Sequence, residues 1–408
     1  MSTNVSLKPE VVLLTGVTGL VGSSVVVALV KSKANLRFVC LVRSSGGMSA
    51  KDRAYRALRE ECEFEGCPEL YEECARRVSI VDGDVTAIDE GVLEGNELLR
   101  DVRRVFHCAA DVNLGKDPTG RVYRVNYEGT RNIVNLAKTL RAKELHYVAT
   151  AYVAGRQTGV VFEEAQCPAC FNNPYEESKC KAENLVRESG IPYTIYRPAI
   201  IVGRKADGRI RKPLAFYRIL EFLQKLKERT ARVKGLDVEN WVDMDMNCAA
   251  IASAHVYFVP IDYVQAAIAA LFQKPAVGLT YHVTGDSPVS ASQILRSVCS
   301  VFKLDGVSIS NRRECRTVEE RMFTKYVGDL FPYFSSDVMF DQTNIRADFP
   351  QCPELEYGDA DLTLMVRAYL ADQFSDVGWV GRMLAAGNDR EPRIPRLPEE
   401  RPVQTSDK

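Results

Sequence analysis

No stretch of the sequence approaches the ~18 uninterrupted apolar residues that a membrane-crossing helix needs. The first ten residues, MSTNVSLKPE, lack the charged-then-apolar layout of a secretory signal, and a cytoplasmic location is expected. Basic charge is not in excess either. Lys+Arg number 53 against 54 Asp+Glu, a formal net charge of -1, which removes the electrostatic basis for gripping a nucleic-acid backbone. Of the 12 cysteines, Cys167 and Cys170 form the only CxxC, and neither a second CxxC nor a nearby His pair completes a zinc site. The cysteines therefore read as reduced thiols, and no metal is expected. No internal repeat is found.

What is present is the composition of a globular protein, 46% hydrophobic and 26% charged over 408 residues, long enough for two or three domains at ~150 residues each. From Val11 onward, short β-branched runs alternate with longer amphipathic segments, the pattern of a parallel sheet flanked by helices. The runs Val11–Thr15, Leu36–Val42, Arg77–Asp84, Arg103–Ala110, Glu144–Thr150 and Tyr193–Ala199 read as successive strands. Val21–Lys31, Gly129–Arg141 and Tyr175–Ser189 read as crossover helices between them. After Gly203 come polar loops and an aromatic amphipathic helix at Leu214–Glu228, before strand-like runs return at His255–Asp262 and Leu279–Asp286. The expected fold is α/β, a doubly wound Rossmann sheet with a smaller, interleaved C-terminal substrate domain. Residues 1–203 form the dinucleotide domain with 255–285 returning to it, 204–254 and 286–386 form the substrate domain, and the Pro- and charge-rich 387–408 reads as a disordered tail.

The first strand runs into Thr15-Gly16-Val17-Thr18-Gly19-Leu20-Val21-Gly22, which opens a helix. Glycine permits the tight turn and lets backbone approach a pyrophosphate at the helix N-terminus; a glycine-rich turn alone says little, but at a strand-to-helix junction it points to a dinucleotide. The second strand ends in Arg43 where NAD-binding folds place an acid for the ribose hydroxyls. Its planar cation suits a 2'-phosphate, so NADPH is the expected cofactor, against the plainer reading of an exposed strand-end arginine. Arg53 and Arg56 read as a solvated helix face that can add charge there. Tyr175 and Lys179 stand four apart and share one face of a helix, where an ammonium can lower the pKa of a phenol and make it a usable acid. One such pair is expected by chance among 17 tyrosines. Context strengthens it: Thr150 ends the preceding strand, placed to bond a substrate oxygen, and Asn126 on an earlier helix is placed to order the site and a relay water.

Together with Gly83-Asp84-Val85, His107-Cys108-Ala109-Ala110 and Tyr196-Arg197-Pro198, these motifs resemble the extended short-chain dehydrogenases/reductases. The runs LVRSS from Leu41, RAYRAL from Arg53, VATAYVAG from Val148, YEESKCKAENLV from Tyr175, IPYTIYRPAIIVGRKADGRI from Ile191 and VPIDYVQAAI from Val259 are most similar to the thioester reductase and fatty acyl-CoA reductase branch, the male-sterility type. The resemblance covers residues 11 to about 285. It implies Thr150, Tyr175 and Lys179 as the catalytic set. It also implies that Gly16, Thr18, Gly19, Leu20, Val21, Gly22 and Arg43 bind NADPH, with Asp84 and Val85 by the adenine, Ala109, Ala110 and Pro198 along the nicotinamide side, and Lys179 on the ribose.

The activity so implied is reduction of an acyl thioester, carried on coenzyme A or a separate carrier protein, to the aldehyde and then optionally to the alcohol. The basic segment 203–212 is a candidate receiver for a pantetheine phosphate or an acidic carrier, as against a solvated loop. Phe216, Tyr217, Phe222 and Leu223, and later Phe323, Tyr326, Phe331, Tyr333 and Phe334, are candidates for an acyl pocket, as against plain core. Rival readings on the same fold are a reductase of free carbonyls and a nucleotide-sugar epimerase or dehydratase, the latter disfavoured by Arg43. A non-catalytic dinucleotide sensor would not be expected to keep Thr150, Tyr175 and Lys179 together.

Overall fold

The computed structural model describes residues 8–88, 95–350 and 355–373; the expected tail, 387–408, and residues 374–386 lie outside the described residues. In chain order the first strands are β1 (Glu10–Thr15), β2 (Leu36–Val42), β3 (Val78–Asp82), β4 (Val102–His107), β5 (Glu144–Val148), β6 (Gly159–Val161), β7 (Tyr193–Pro198) and β8 (Ile200–Val202). They are followed by β9 (Val242–Ala249), β10 (His255–Val256), β11 (Phe258–Pro260), β12 (Leu279–Val283), β13 (Val289–Ser290), β14 (Leu304–Ser310) and β15 (Val338–Phe340). Seven form one parallel sheet in the order β12-β7-β5-β4-β1-β2-β3. These include all six of the leading runs read from the sequence, and the edge strand β12 from the last run.

Helices cover both faces, which is why the central strands read as nearly unbroken apolar runs such as LRFVCLV in β2. Helix α1 (Leu20–Lys31) is buried almost all round, and its two serines bond back to carbonyls within the same helix turn, Ser23 to Gly19 at 2.8 Å and Ser24 to Val21 at 3.0 Å. Helix α2 (Ala50–Phe64) is capped by Ser49 and turns Ala50, Ala54, Ala57, Leu58 and Glu61 inward at helical spacing. On the opposite face lie α3 (Gly129–Thr139) and α4 (Pro174–Arg187), the latter capped by Asn173 with Pro174 in its first turn. No helix among the described residues is long and apolar enough to cross a membrane.

The remaining strands form small two-stranded pairs, β10 with β13, β11 with β8, β14 with β9 and β15 with β6, and helix α5 (Phe216–Lys234) packs against β9. Strand β9 pairs with β14 across more than fifty residues of chain, and the core on one sheet face runs without a break from Val25 and Phe106 to Phe216, Phe258 and Phe340. The run at His255–Asp262, read as strand-like, splits into β10, which pairs with β13, and β11, which pairs with β8, before helix α6 (Ile261–Phe272) begins; neither short strand joins the central sheet.

The Tyr196-Arg197-Pro198 motif has a structural core at its centre. Arg197 is fully buried and makes a forked contact with Glu183 on α4, at 3.0 and 2.5 Å. It also donates to the carbonyls of Phe162 and Glu164 and to Nε2 of His282, whose Nδ1 donates to the Asp341 carbonyl at 2.7 Å. Burial and the adjacent guanidinium push the His282 imidazole down to about 3, so it stays neutral. Glu183→Gln is expected to cost about 3–5 kcal/mol, since it strands a buried cation. Urea unfolding checks this, and a loss below about 1 kcal/mol would show that the pair is not what joins β7, β12 and α4.

Candidate active site

Parallel register aligns the carboxyl ends of the strands. Thr15 of β1 stands opposite Leu41 of β2 and His107 of β4, so the loops that follow open into one crevice where the strand order reverses between β1 and β4. The crevice holds a cavity of about 550 Å³ lined by the glycine-rich loop, Leu41–Arg43, Gly83–Val85 and Cys108–Asn113. Gly16 has φ +84°, and a Cβ there would lie 2.7 Å from the Ala109 nitrogen. A Cβ on Gly22 would fall 2.2 Å from the Gly16 carbonyl oxygen. The loop is thus held as a thin, backbone-lined cradle at a helix N-terminus, which fits a pyrophosphate.

Of the residues expected to bind cofactor, Gly16, Thr18, Gly19, Arg43, Asp84, Val85, Ala109 and Ala110 line this cavity. Gly22 lines neither cavity described and acts by packing helix against loop. Arg43 pairs with Asp84 at 3.2 Å. Burial works to raise the Asp84 carboxyl, but its bonds to Thr86 and the Arg43 cation outweigh that and hold it below the usual range. Arg53, read as solvated, instead lines the cavity and donates to the Arg43 carbonyl; Arg56 pairs with Glu60. The basic end of the cleft is therefore built by α2 as well as β2.

A second cavity of about 280 Å³ shares Gly19, Cys108, Ala110 and Val112 with the first and is walled mainly by apolar side chains. Leu20, Val21, Thr150, Tyr175, Lys179 and Pro198 all face it. Thr150 caps the short turn 151–154, accepting from the Tyr152 N–H, and its hydroxyl lies within hydrogen-bonding reach of the Tyr175 phenol. The electrostatics depart from the expected pairing. Burial raises the Tyr175 phenol, and the Thr150 bond offsets this only in part. Lys179, 2% exposed, donates to the Val148 carbonyl at 2.6 Å and lies 4.3 Å from the centre of the Tyr147 ring, so its charge is not spent on Tyr175. Desolvation lowers its ammonium to about 8, against the opposing pull of Cys108 and Glu183.

Asn126 lines neither cavity. It lies in a π-helical turn, Arg124–Glu128, where its Oδ1 accepts from the Asp111 N–H at 2.8 Å and its Nδ2 donates to the Asp111 carbonyl and to Ser178 Oγ. It joins the loop after β4 to the first turns of α4, the helix that carries Tyr175. Basic segment 203–212 is largely committed within the chain. Arg204 pairs with Asp207, Lys205 with Asp361, and Arg211 with Glu61, while Arg211 and Lys212 also donate to the Gly19 and Thr18 carbonyls of the glycine-rich loop. Of the aromatic candidates, Phe216, Tyr333 and Phe334 reach the second cavity, and Tyr217, Phe222 and Phe323 pack in the core.

Gly16→Ala is expected to cost about 1–3 kcal/mol through its left-handed backbone and to weaken dinucleotide binding at least about tenfold through the displaced loop. Thermal unfolding and fluorescence titration check the two parts. Near wild-type affinity would mean that the loop does not hold the phosphates.

The chain is similar to several known proteins. The chain is 30% identical over 222 residues to a component of the linear gramicidin synthase of Brevibacillus parabrevis, an alignment covering 52% of this chain and 4% of that protein. It spans about a quarter of the next curated relatives. The terminal R domain of the myxalamid PKS-NRPS pathway superposes with a TM-score of 0.69 at 22% identity, covering 91% of this chain and 93% of that one. A thiolation-reductase di-domain from an archaeal non-ribosomal peptide synthetase gives 0.69 at 21%, covering 90% and 76%. Residues 14–268 match the NAD-binding family described as male sterility protein. The chain belongs to that male sterility family, within the extended short-chain dehydrogenases/reductases, and its cofactor is a nicotinamide dinucleotide.

Proposed function

We propose that the chain is an NADPH-dependent reductase of acyl thioesters, forming the aldehyde and, with a second turnover, the alcohol. The observation that carries the reading is the junction of the two cavities: Thr150, Tyr175 and Lys179 face an apolar pocket that opens on the dinucleotide cleft at Gly19, Cys108 and Ala110. Relatives named as synthetase and terminal reductase proteins support a thioester on a carrier protein as substrate, with coenzyme A as the alternative carrier. Arg43 and Arg53 at the basic end of the cleft support NADPH over NADH. We assign the dinucleotide to residues 1–203 with 255–285 and the acyl group to 204–254 with 286–386. The cysteines among the described residues are free, even Cys62 and Cys74 with sulfurs 4.0 Å apart, which suits a reducing cytoplasm.

The bound nicotinamide supplies the hydride. Tyr175, kept protonated by its raised phenol, and Thr150 donate hydrogen bonds to the oxygen that gains charge as the carbonyl becomes tetrahedral. Collapse of that species breaks the C–S bond, expels the thiolate, which takes a proton from solvent on release, and leaves the aldehyde. Lys179 would meet the ribose of the bound cofactor, and the apolar walls exclude water that would solvate the developing oxyanion. Asn126 keeps the loop after β4 in register with the helix of Tyr175.

NADPH oxidation followed with acyl-pantetheine and acyl-CoA thioesters, and with the matching free aldehydes and NADH as controls, tests the reading. Turnover of thioesters supports it, and activity on free carbonyls alone removes it. Tyr175→Phe is expected to lower kcat at least about 100-fold, with the Kd for NADPH within about threefold of wild type. The Lys179 ammonium is lost as pH rises through about 8, so kcat/KM for NADPH should fall about tenfold per pH unit above that value. A flat profile to pH 10 would show that its charge is not used.

A further inference from the structure

We propose that Tyr333 is a specificity-determining and positioning residue of the acyl site, coupling the shape of the acyl group to the placement of Tyr175; this rests on the reductase reading above. Tyr333 lies outside residues 14–268, the span that matches the family. It comes from the 3-10 segment Gly328–Phe334, which sends Leu330, Tyr333 and Phe334 into the wall of the second cavity. The ring packs edge-on against Tyr152, centroids 4.7 Å apart at 83°, so two aromatic planes meet beside Thr150 and bound the space open to an acyl chain.

The hydroxyl of the same side chain reaches the first turn of α4. Asn173 Nδ2 donates to it at 2.8 Å, and it bonds the Glu176 carboxylate. The direction of each bond follows from counting protons. Asn173 Oδ1 already accepts from the Glu176 N–H at 3.0 Å as the helix cap, so its amide nitrogen is the end that faces Tyr333. That nitrogen can only donate, and the single phenolic proton of Tyr333 therefore goes to Glu176. Glu176 is fully buried and accepts two further bonds, from the Asn172 N–H at 2.8 Å and from its amide at 3.3 Å. Tyr175, with Pro174, lies between the cap and this carboxylate. Thus the ring of Tyr333 touches the space for the acyl group while its hydroxyl holds the turn that carries the general acid. An acyl group that leaves the ring in place keeps Tyr175 aimed, and one that displaces the ring releases the turn; errors near 1 Å at a reacting centre cost about 100-fold in rate.

The experiment compares wild type with Tyr333→Phe, which keeps the ring and loses the hydroxyl, and with Tyr333→Ala, which loses both. Three quantities are measured: kcat and KM for pantetheine thioesters of stepped acyl length, calorimetric Kd for unreactive S-alkyl pantetheine thioethers of the same lengths, and Kd for NADPH. For Tyr333→Ala, the ratio of long-chain to short-chain kcat/KM, and of the corresponding thioether affinities, should shift about tenfold. For Tyr333→Phe, the thioether profile should stay within about twofold while kcat falls about tenfold for every acyl length, with NADPH affinity unchanged. A Tyr333→Ala profile that scales equally at all lengths, or a Tyr333→Phe kcat equal to wild type, overturns the proposal. If wild type reduces no thioester, the reductase reading falls, and the thioether profile still decides whether Tyr333 shapes the cavity.

Discussion

The site depends on one buried hydrogen-bond relay that ties the loop after β1 to the loop after β4. Thr15 Oγ1 accepts from the N–H groups of Cys108 and Ala109 and bonds His107 Nδ1 at 2.6 Å. On the other side, His107 Nε2 meets Thr130 Oγ1 at 3.0 Å, and Thr130 donates its proton to the Asn126 carbonyl at 2.6 Å. With that proton committed, Nε2 must be the donor and Nδ1 the acceptor from Thr15. Burial drives the imidazole down to about 3, so the relay stays neutral and its directions do not reverse. Both cavities take part of their lining from Gly16–Gly19 and Cys108–Val112, and this relay sets the distance between those two stretches. Gly16 closes the same gap from the other direction, since the Ala109 backbone leaves no room for a side chain.

Much of this was legible in sequence because parallel sheets write themselves locally. Strands buried on both faces must be apolar throughout, glycine is demanded where loop meets helix, and a cap such as Asn173 followed by Pro174 marks where α4 begins. Of the residues named for the cofactor, Gly22 alone lines neither cavity, because its constraint is a contact with the Gly16 carbonyl inside the loop rather than with a ligand. What failed were judgements that need three dimensions. Arg53 looks solvated by helical spacing, yet α2 packs so that it reaches the cleft. Lys205 and Arg211 look available in a basic run, yet their acids, Asp361 and Glu61, are more than a hundred residues away along the chain.

The second cavity was less legible for a related reason. Besides residues at the ends of β5 and β7, its wall takes in the loop after β4, the start of α5 and the segment 328–334, stretches with no common motif, and each is aromatic or aliphatic in a way that core packing also explains. Side chains in one short stretch can serve either purpose: Phe216 faces the cavity while Tyr217 beside it turns inward to hold the Gly203 N–H at 2.9 Å. Only the direction of each side chain separates pocket from core, and periodicity over so few residues does not supply it.

Lys179 shows what the arrangement costs and why the cost is tolerated. An ammonium 2% exposed, bonded to one carbonyl and resting on one aromatic face, is poorly compensated for its lost hydration. Its folded-state pKa lies below the ordinary lysine value, so the native state gives up the proton before the unfolded chain does. The penalty is therefore full below about pH 8 and fades as pH climbs from there toward the ordinary value. A protein selected for stability alone would place an apolar residue there, as the neighbouring Tyr147, Val148 and Ala182 do. On the function proposed above, that cation would meet partners that arrive with the cofactor, whose ribose hydroxyls would accept its protons.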